Sequence, residues 1–593
     1  MKKLLSGNEA IARGAWEYGV AVASAYPGTP STEILEEFAR YPNVYAEWAT
    51  NEKVALDVAI GAAYAGRRAL STMKHVGLNV AADAFFYASM TGIEGGLVIV
   101  SADDPAMHSS QNEQDNRNFG KFARVPVVEP VDSQEAKDLV GAALDISEQF
   151  DTPVLLRITT RIAHSSTPVE LGERREGPPP LPTYPRKFEK YVMLPVNARK
   201  RHPVIEERIR KLTEFAETFP FNRIEWGDRE LGIVACGVAY QYAKEIFPTA
   251  SILKLGMTYP IPPKMVREFV GGVKRAIVLE ELDPFLENEI KLLGLWVEGK
   301  SIFSGIGEMD PRIVREQAIA AGLLPESARK TYAAPDVGSL PGRPPVLCPG
   351  CPHRGFYVIT RKLKLPINGD IGCYTLGALP PLNSTDTCGC MGASIGVAHG
   401  ADKAGSPERN IAVLGDSTFF HTGMPALLNV AYNRGKTITV VLDNRVTAMT
   451  GHQDNPGTGR TLQGEATKEI GFEPLLRALG MDHVQTVNAF DLREVERALR
   501  EAVKRDEASA LVVQGECALL PEARKRYVPL RVDQDRCNGC GLCFRVGCPA
   551  VIKQPDGKAF IDPLLCTGCE VCAQVCGRKA ILFRAQVLEP SEG

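Results

Sequence analysis

Two closely spaced runs of cysteine near the C-terminus constrain this chain more than any other feature. Their spacings are Cys537-x2-Cys540-x2-Cys543-x4-Cys548 and Cys566-x2-Cys569-x2-Cys572-x3-Cys576. In such paired runs, three thiolates of one loop bind three corners of a [4Fe–4S] cluster, and the other run supplies the fourth. The runs therefore predict two clusters, one bound by Cys537, Cys540, Cys543 and Cys576, the other by Cys548, Cys566, Cys569 and Cys572.

Two other uses of these cysteines fit the spacing less well. Zinc sites commonly pair C-x2-C knuckles and seldom place three cysteines in a row at this spacing. Disulfides would require an oxidising compartment, which nothing else in the sequence indicates. The first run has four residues before its last cysteine, where three are usual. We expect the extra residue, within 544–547, to bulge the loop and to leave Cys548 as a ligand.

Length and composition set the scale of the fold. At 593 residues the chain is too long for one core, and about four domains are expected. The net charge of −3 gives no electrostatic basis for binding nucleic acid or a membrane surface. We expect no signal peptide in the N-terminal residues, and no apolar run in the sequence approaches the ~20 residues of a membrane span. We therefore expect a cytoplasmic protein, with no nucleic-acid or membrane partner.

Three breaks divide the chain, at 177–182, 334–349 and 522–528. The first two contain several prolines, and Pro521 and Pro529 flank the third. Between them, short β-branched runs alternate with helical patterns, which is typical of parallel sheets covered by helices. The predicted strands are 96–101, 153–158, 231–236, 251–255, 275–279, 410–414, 437–442 and 510–514. The sequence thus predicts an α/β protein with three doubly wound parallel-sheet domains and a small C-terminal domain with two [4Fe–4S] clusters. The expected boundaries are 1–180, 190–332, 340–525 and 527–590.

Polar residues follow two strands of the third block. Gly415-Asp416-Ser417 follows one strand directly, and Asp443-Asn444-Arg445-Val446 ends another. Since ligands bind at the carboxyl ends of parallel strands, Asp416, Asn444 and the Val446 carbonyl can give three oxygens to one Mg²⁺. The remaining positions would be left for phosphate oxygens. The same residues also suit ordinary strand-end turns.

This pair of segments resembles the Gly-Asp-Gly … Asn-Asn motif of thiamine diphosphate enzymes, with Ser417 and Asp443 as departures. The resemblance implies that Gly415, Asp416, Asn444 and Val446 bind the diphosphate and its metal. These enzymes also use a glutamate to protonate the aminopyrimidine ring. The stretch 52–63 is similar to that family's Glu-x2-Ala-x3-Ala-x-Gly-x-Ala pattern, which implies a catalytic role for Glu52. The alternative is a capping glutamate at the start of an alanine-rich helix.

Further candidates lie in the first block. The segment 26–31 looks like the substrate loop of 2-oxoacid:ferredoxin oxidoreductases, with Thr29 as the substrate contact. His75, after a predicted strand and beside Lys74, can serve proton transfer or carboxylate binding. The stretch 108–115 is predicted to be a polar loop outside the core. For both His75 and the loop, the alternative is a solvated turn.

Four more cysteines, Cys348, Cys351, Cys373 and Cys517, match a set that holds a cluster beside the thiamine in ferredoxin-linked 2-oxoacid oxidoreductases. The resemblance implies a third [4Fe–4S] cluster. Cys388 and Cys390 lie near this set in the sequence, and the segment Gly372-Cys373-Tyr374 can instead line the diphosphate pocket. Cys236 is interpreted as a packing residue.

The whole chain resembles the α subunits of indolepyruvate ferredoxin oxidoreductases. The resemblance implies oxidative decarboxylation of aryl-2-oxoacids with coenzyme A to arylacetyl-CoA and CO2, with electrons passing through the clusters to ferredoxin. It also implies a separate β subunit, in a heterodimer or an α2β2 assembly. Three alternatives stay open: oxidation of another 2-oxoacid such as pyruvate or 2-oxoglutarate, a non-oxidative decarboxylase or carboligase with structural clusters, and an electron-transfer subunit with a vestigial thiamine half.

Overall fold

A computed structural model describes residues 1–330, 338 and 344–588 of the chain. Contacts divide the chain into two units, Met1–Pro335 and Asp336–Gly593. Most of the second predicted break, 334–337 and 339–343, lies outside the described residues. Among the described residues, no helix combines the length and the apolar character needed to cross a bilayer.

The strands of the first unit form three sheets. In chain order they are β1 Lys2–Ser6, β2 Val22–Ala25, β3 Tyr45–Trp48, β4 Ala69–Lys74, β5 Leu97–Asp103, β6 Val127–Val128, β7 Val154–Thr159, β8 Ser166–Glu170, β9 Arg223–Glu225, β10 Asp228–Ala235, β11 Ala250–Lys254, β12 Met257–Tyr259 and β13 Arg275–Leu279. A seven-stranded sheet has the order β12-β6-β7-β5-β4-β2-β3, and a four-stranded sheet has the order β13-β10-β11-β9. β1 and β8 form an antiparallel pair.

The helices of the first unit connect and cover these strands. They are α1 Gly7–Glu17, α2 Thr32–Phe38, α3 Glu52–Tyr64, α4 His75–Val80, α5 Ala82–Thr91, α6 Arg117–Ala123, α7 Ser133–Phe150, α8 Thr160–His164, α9 Phe188–Tyr191, α10 Pro195–Ala216, α11 Gly237–Ile246, α12 Pro263–Gly271, α13 Phe285–Leu292 and α14 Pro311–Ala320, with 3₁₀ turns at Pro105–Met107 and Glu326–Ala328. The seven-stranded sheet is parallel except for β12, which pairs antiparallel with β6. The second block thus adds one edge strand to the sheet of the first.

The second unit contains a six-stranded, all-parallel sheet of order β15-β14-β16-β17-β19-β18 and a small antiparallel pair, β20-β21. The strands are β14 Ile367–Gly369, β15 Thr387–Cys388, β16 Ile411–Gly415, β17 Ile438–Asp443, β18 His483–Asn488, β19 Ser509–Gln514, β20 Val551–Lys553 and β21 Ala559–Ile561. The helices are α15 His353–Leu363, α16 Ala393–Lys403, α17 Asp416–Thr418, α18 Met424–Tyr432, α19 Phe472–Ala478, α20 Leu492–Lys504, α21 Pro521–Arg524, α22 Val571–Gln574 and α23 Arg584–Leu588. 3₁₀ turns lie at Cys373–Ala378 and Leu542–Val546, and a π-helical turn at Phe419–Gly423.

Local sequence explains why these elements begin where they do. The Asn51 side chain accepts a 2.9 Å hydrogen bond from the Val54 N–H and so caps α3 directly before Glu52. Asp132 and Asp491 cap α7 and α20 in the same way. The central strands β5, β7 and β17 are buried along their whole length, as continuous apolar runs between helical layers require.

The predicted α/β fold is confirmed, and each of the eight predicted strands occurs within three residues of its expected bounds. One part of the polar-loop prediction is wrong. Residues 108–114 lie outside any helix or strand, but Asp115 is buried. Its carboxylate binds the buried guanidinium of Arg117, which also donates to Glu280 Oε2 at 2.7 Å. This ion pairing neutralises a carboxylate that the sequence pattern assigned to solvent.

Candidate active site

Three oxygens converge at the carboxyl end of the six-stranded sheet. The Asn444 side-chain oxygen lies 2.8 Å from the Val446 carbonyl oxygen and 3.3 Å from Asp416 Oδ2. A rotated amide would donate its N–H to both oxygens, whereas the present orientation points three acceptors at one another. In an octahedral Mg²⁺ site with Mg–O distances of about 2.1 Å, neighbouring ligand oxygens lie about 3 Å apart. The donor set and its spacing therefore fit a magnesium ion.

A bound cation would also balance the negative charge of the Asp416 carboxylate. Burial and the nearby carboxylate of Asp443 together raise the pKa of Asp416 to about 8, against the lowering effect of hydrogen bonds from the Ser417 N–H, Asn455 and the Val446 N–H. Arg445, between Asn444 and Val446, has a left-handed φ of 64°. This sparsely populated conformation turns the flanking side chain and carbonyl toward the same point.

The Tyr374 ring packs over both glycines of the predicted diphosphate loop. A Cβ added to Gly372 would lie 2.3 Å from Tyr374 Cε1, and one added to Gly415 would lie 2.8 Å from it. The Tyr374 hydroxyl donates to the Ile371 carbonyl at 2.6 Å and lies 3.1 Å from Thr418 Oγ1. Glycine is therefore required at both positions by close approach.

The four cysteines of the predicted third cluster come together beside this oxygen cluster. Burial, together with negative charge at Cys517, Cys348 and Asp416, raises the pKa of Cys373 to about 11. Burial, together with Cys373 and Cys348, raises the pKa of Cys351 to about 12. Cys388 and Cys390 are exposed, and Cys388 lies against the Asp370 carbonyl. The structure thus groups Cys348, Cys351, Cys373 and Cys517 and leaves the other two outside.

The eight C-terminal cysteines form the two groups that the spacing predicts. Burial raises the pKa of Cys543 to about 11, with further contributions from Cys576, Cys537 and Cys540. Burial likewise raises the pKa of Cys569 to about 11, with contributions from Cys548 and Cys566, and the same two neighbours act on Cys572. Cys537, Cys540, Cys543 and Cys576 line one common pocket. Each group therefore combines three cysteines of one run with the last cysteine of the other.

A [4Fe–4S] cluster and a single metal ion require different arrangements of their protein ligands. Within the described residues, no three His, Cys, Asp or Glu side chains are placed to share one metal ion. Each thiolate of a [4Fe–4S] cluster binds its own iron, so its four sulfurs surround the cluster at separate corners. Backbone N–H groups of Leu530, Ala559 and Ala580 donate to Cys566, Cys537 and Cys576 Sγ at 3.4, 3.5 and 3.3 Å. Such hydrogen bonds favour thiolate charge.

The extra residue before Cys548 is accommodated without displacing that cysteine. The segment forms the 3₁₀ turn Leu542–Val546, closed by Gly547 in the left-handed region at φ 70°. A Cβ on Gly547 would lie 2.8 Å from Pro381 Cδ. The loop therefore bulges, and Cys548 stays with its predicted group.

In the first unit, Glu52 begins α3 and is buried. Its side chain packs on Gly77 of α4, where an added Cβ would lie 2.8 Å from both Glu52 Cγ and Oε1. The negative charges of Asp104 and Glu52 raise the pKa of Lys74, against a larger lowering by burial. Glu52 and Lys74 thus lie within electrostatic reach of each other.

Thr29 lies near the same lysine. The neighbouring Gly28 faces the Lys74 side chain. The Thr29 carbonyl accepts a 3.4 Å hydrogen bond from Ser109 Oγ. Lys74 Nζ donates to the Ser109 carbonyl at 3.0 Å. Asp104 Oδ2 accepts from the Ser109 N–H at 2.8 Å and from Ser110 Oγ at 2.6 Å, which fixes this loop.

His75 is fully buried at the start of α4. Its Nε2 lies 3.2 Å from the Asn112 carbonyl and 3.0 Å from Asn112 Oδ1, both acceptors, so Nε2 carries the proton. Nδ1 is then a buried acceptor, and it has no hydrogen-bond partner among the described residues. The exposed His108 instead contacts Glu308 at 3.3 Å. Of the two histidines, only His75 has a buried ring nitrogen without a hydrogen-bond partner among the described residues.

Two residues of this region were not predicted from the sequence. Asp370, at the end of β14, accepts from the Gly392 N–H at 2.7 Å and the Ser394 N–H at 3.0 Å, which positions the start of α16. Arg354 in α15 donates hydrogen bonds to the backbone carbonyls of Gly547 and Cys348, which belong to two different cysteine-bearing loops. Asp370 directly follows a strand, and that position was a sequence signal that could have identified it. Nothing in the local sequence indicated Arg354.

Three family models match the chain. Residues 13–210 match the pyruvate flavodoxin/ferredoxin oxidoreductase thiamine diphosphate-binding family, and residues 370–513 the C-terminal binding domain of thiamine pyrophosphate enzymes. Residues 559–582, which contain the second cysteine run, match the 4Fe-4S binding domain. Thiamine diphosphate and iron–sulfur clusters, predicted as cofactors, are thereby confirmed.

Curated relatives cover nearly the whole chain. Indolepyruvate oxidoreductase subunit IorA of Pyrococcus horikoshii is 43% identical over 97% of this chain and 96% of that protein. The Archaeoglobus fulgidus subunit of the same name is 42% identical over 98% of this chain and 97% of its own length. The KorA subunit of 2-oxoglutarate synthase from A. fulgidus is 26% identical over 47% of this chain and 87% of its own. A solved 2-oxoglutarate:ferredoxin oxidoreductase from Magnetococcus marinus has 16% identity and a TM-score of 0.45, over 54% of this chain and 65% of that one. The chain belongs to the family of IorA subunits of indolepyruvate oxidoreductase.

Proposed function

We propose that this chain catalyses the oxidative decarboxylation of aryl-2-oxoacids, with indolepyruvate preferred, and that coenzyme A takes up the arylacetyl group. The products are arylacetyl-CoA and CO2, and the electrons pass to ferredoxin. The observation that carries the proposal is the position of Asp416, which shares one oxygen cluster with Asn444 and lies within electrostatic reach of Cys373 and Cys517. A diphosphate site beside a cluster site joins the source of electrons to their first acceptor.

Bound thiamine diphosphate supplies a carbon nucleophile and a sink for the electron pair that decarboxylation releases. Asp416, Asn444 and the Val446 carbonyl would hold its Mg²⁺, and the absence of side chains at Gly372 and Gly415 would leave room for the diphosphate. Glu52 would hold a proton for the aminopyrimidine ring, a task suited to a buried carboxyl. Thr29 contacts the oxoacid, and Lys74 binds its carboxylate. His75 accepts a hydrogen bond from the reacting molecule at Nδ1.

The two electrons of each turnover leave singly, because each cluster accepts one electron at a time. We propose three clusters, held by the group of Cys348, Cys351, Cys373 and Cys517 and by the two C-terminal groups. The segments 1–180, 190–332, 340–525 and 527–590 then act as a pyrimidine-side domain, a transketolase C-terminal-like domain, a diphosphate-side domain and an electron-exit domain. Residues 331–332 of the second segment, 340–343 of the third and 589–590 of the fourth lie outside the described residues.

A separate β subunit is the proposed partner, in a heterodimer or an α2β2 assembly, with coenzyme A bound where the subunits meet. The relatives are named as subunits, which supports a multi-subunit enzyme. Ferredoxin is proposed to dock at the outer C-terminal cluster, where Cys540 is exposed. Arg536, Arg578 and Lys579 flank ligands of that cluster and are exposed, so they favour an acidic protein.

The test is a 2-oxoacid panel with the co-expressed αβ complex under anoxia, following acceptor reduction and acyl-CoA formation together. We expect indolepyruvate to be oxidised fastest, with strict dependence on coenzyme A. Faster oxidation of pyruvate or 2-oxoglutarate would overturn the aryl assignment. Release of free aldehyde without acceptor reduction would instead identify a non-oxidative decarboxylase.

A further inference from the structure

The buried guanidinium of Arg354 bridges two cysteine-bearing loops of the second unit. Its Nη1 donates to the carbonyls of Val546 and Gly547 at 3.1 and 2.6 Å, and its Nη2 to those of Leu347 and Cys348 at 2.6 and 2.9 Å. Val546 and Gly547 belong to the loop that contains the extra residue before Cys548. One side chain thus fixes the C-x2-C loop of the thiamine-side group against the loop that delivers Cys548.

Arg354 also carries a positive charge that the protein alone does not balance. Arg354 is 2% exposed, and in the described part of the chain every hydrogen bond that it donates goes to a backbone carbonyl, with Nε left without a partner. A buried charge without a counter-ion destabilises the fold. The charge acts on Cys351 of one group and on Cys569 of another, opposing the rise that burial causes in the pKa of each thiol. Four thiolates outweigh the positive charge of a [4Fe–4S] core, so two loaded clusters would supply the missing anions.

Other contacts hold the same two parts of the unit together. A Cβ on Gly350, between Cys348 and Cys351, would lie 2.0 Å from Thr567 Oγ1, next to Cys566. Gln574, between Cys572 and Cys576, accepts from the Leu492 N–H at 2.9 Å and donates to the Phe490 carbonyl at 2.7 Å. The group of Cys548, Cys566, Cys569 and Cys572 therefore faces the diphosphate-side domain, while the other C-terminal group contains the exposed Cys540.

We propose that Arg354 is the positioning residue of electron exit: it holds the thiamine-side cluster against the cluster of Cys548, Cys566, Cys569 and Cys572, and its charge stabilises the reduced state of both. The inference rests on the proposed function, since it requires the third cluster. With both clusters bound, each step would transfer one electron: the thiamine-side cluster would be oxidised by one electron, and the inner C-terminal cluster would be reduced by one. No bond is broken and no proton moves. The outer cluster with Cys540 is the last before ferredoxin.

The test compares Arg354→Gln, which removes the charge, with Arg354→Lys, which keeps the charge and loses the planar fork. Arg545→Gln is the matched control, because Arg545 lies in the loop of Val546 and Gly547, which Arg354 binds, and is exposed. Each purified αβ complex is examined for iron content, for cluster potentials by EPR-monitored titration, and for the rate at which indolepyruvate reduces the C-terminal clusters. The wild-type complex is expected to hold about 12 iron atoms per chain of this protein in three clusters.

For Arg354→Gln we expect unchanged iron and a negative shift in at least one potential of about 59 mV, the equivalent of a tenfold change in a one-electron equilibrium. Substrate-driven reduction of the C-terminal clusters should slow about tenfold, while Arg354→Lys and Arg545→Gln keep wild-type potentials. Unchanged potentials in Arg354→Gln with full iron would overturn the proposal. If Arg354→Gln loses iron, the Arg354→Lys variant decides the question. Iron content and cluster potentials equal to those of the wild type in Arg354→Lys would support the proposal, and loss of either would overturn it. Only about eight iron atoms in the wild-type chain would refute the third cluster of the proposed function, independently of any variant.

Discussion

The backbone N–H of Cys517 donates a 3.1 Å hydrogen bond to the carbonyl oxygen of Asn444. The bond continues the parallel pairing of β17 and β19, whose last paired residues are Asp443 and Gln514. A proposed cluster ligand and a proposed metal ligand therefore lie on adjacent strand extensions, joined by main-chain atoms. Side-chain changes at one position should leave the backbone of the other in place.

Cys517→Ser should separate the two sites. We expect loss of about four iron atoms per chain, because serine is a poor substitute for a cluster thiolate. The affinity for thiamine diphosphate should change by less than about threefold, because the backbone hydrogen bond remains. Iron analysis and calorimetric titration with thiamine diphosphate and Mg²⁺ measure the two effects. The control is Cys390→Ser, at an exposed cysteine outside the group. Equal iron in both variants would exclude Cys517 as a ligand.

Asp416→Asn should weaken thiamine diphosphate binding by about 100-fold or more. The substitution removes the only formal charge among the three converging oxygens, and even outer ligand partners cost 10- to 100-fold in metal affinity. Calorimetry at fixed Mg²⁺ measures the change. Asp482→Asn, at an exposed aspartate, serves as the control. An affinity within a factor of three of wild type would rule out the metal site as assigned.

Gly77→Ala should lower the turnover rate without changing any titratable group. The new Cβ would lie 2.8 Å from Glu52 Cγ and Oε1, so the carboxyl must move, and displacements of about 1 Å can cost 100-fold. We expect a 10- to 100-fold lower kcat with indolepyruvate. Gly61→Ala is the matched control in α3, since nothing lies within 4 Å of its Cβ. It should keep full activity and gain about 0.5–1 kcal/mol of stability. Equal activity in both variants would argue against a catalytic role for Glu52.

Stability of the first unit should fall as the pH rises from about 4.5 to 7. Burial raises the pKa of Glu281 to about 7, so the folded protein holds a proton on this carboxyl that the unfolded chain has lost. That proton contributes stability below pH 4.5, which is lost as the pH rises through 7. Glu281→Gln keeps an acceptor for the Met309 N–H and should remove this dependence, of the order of 1–3 kcal/mol. Denaturant titrations at pH 5 and pH 8 measure it. Parallel pH profiles for the two proteins would contradict the prediction.

Much of the fold and of the candidate site could be predicted because the relevant signals are local. Asp416 and Asn444 follow buried strands directly, and parallel strands bring their carboxyl ends to one edge. The two C-terminal cysteine groups follow from spacing within 40 residues. Glu52 could be proposed only by resemblance, since its burial against Gly77 depends on a separate helix.

Long-range contacts explain what could not be predicted. The Arg354 guanidinium binds carbonyls 192 and 193 residues away, and its own helix sequence gives no sign of them. Asp115 is buried because Arg117 also binds Glu280 across 163 residues. β12 has three residues, too few for a periodic pattern, and it joins the first sheet rather than the sheet of its own block.

The central proposal is that the thiamine site of this chain transfers electrons to the chain's own clusters. The most direct measurement is freeze-quench EPR of the anoxic αβ complex, mixed with indolepyruvate and coenzyme A without any external reductant. We predict that reduced [4Fe–4S] signals appear within one turnover, and that Glu52→Gln abolishes them while dithionite still produces them. Signals that dithionite produces but indolepyruvate does not, in a complex loaded with thiamine diphosphate, would contradict the account.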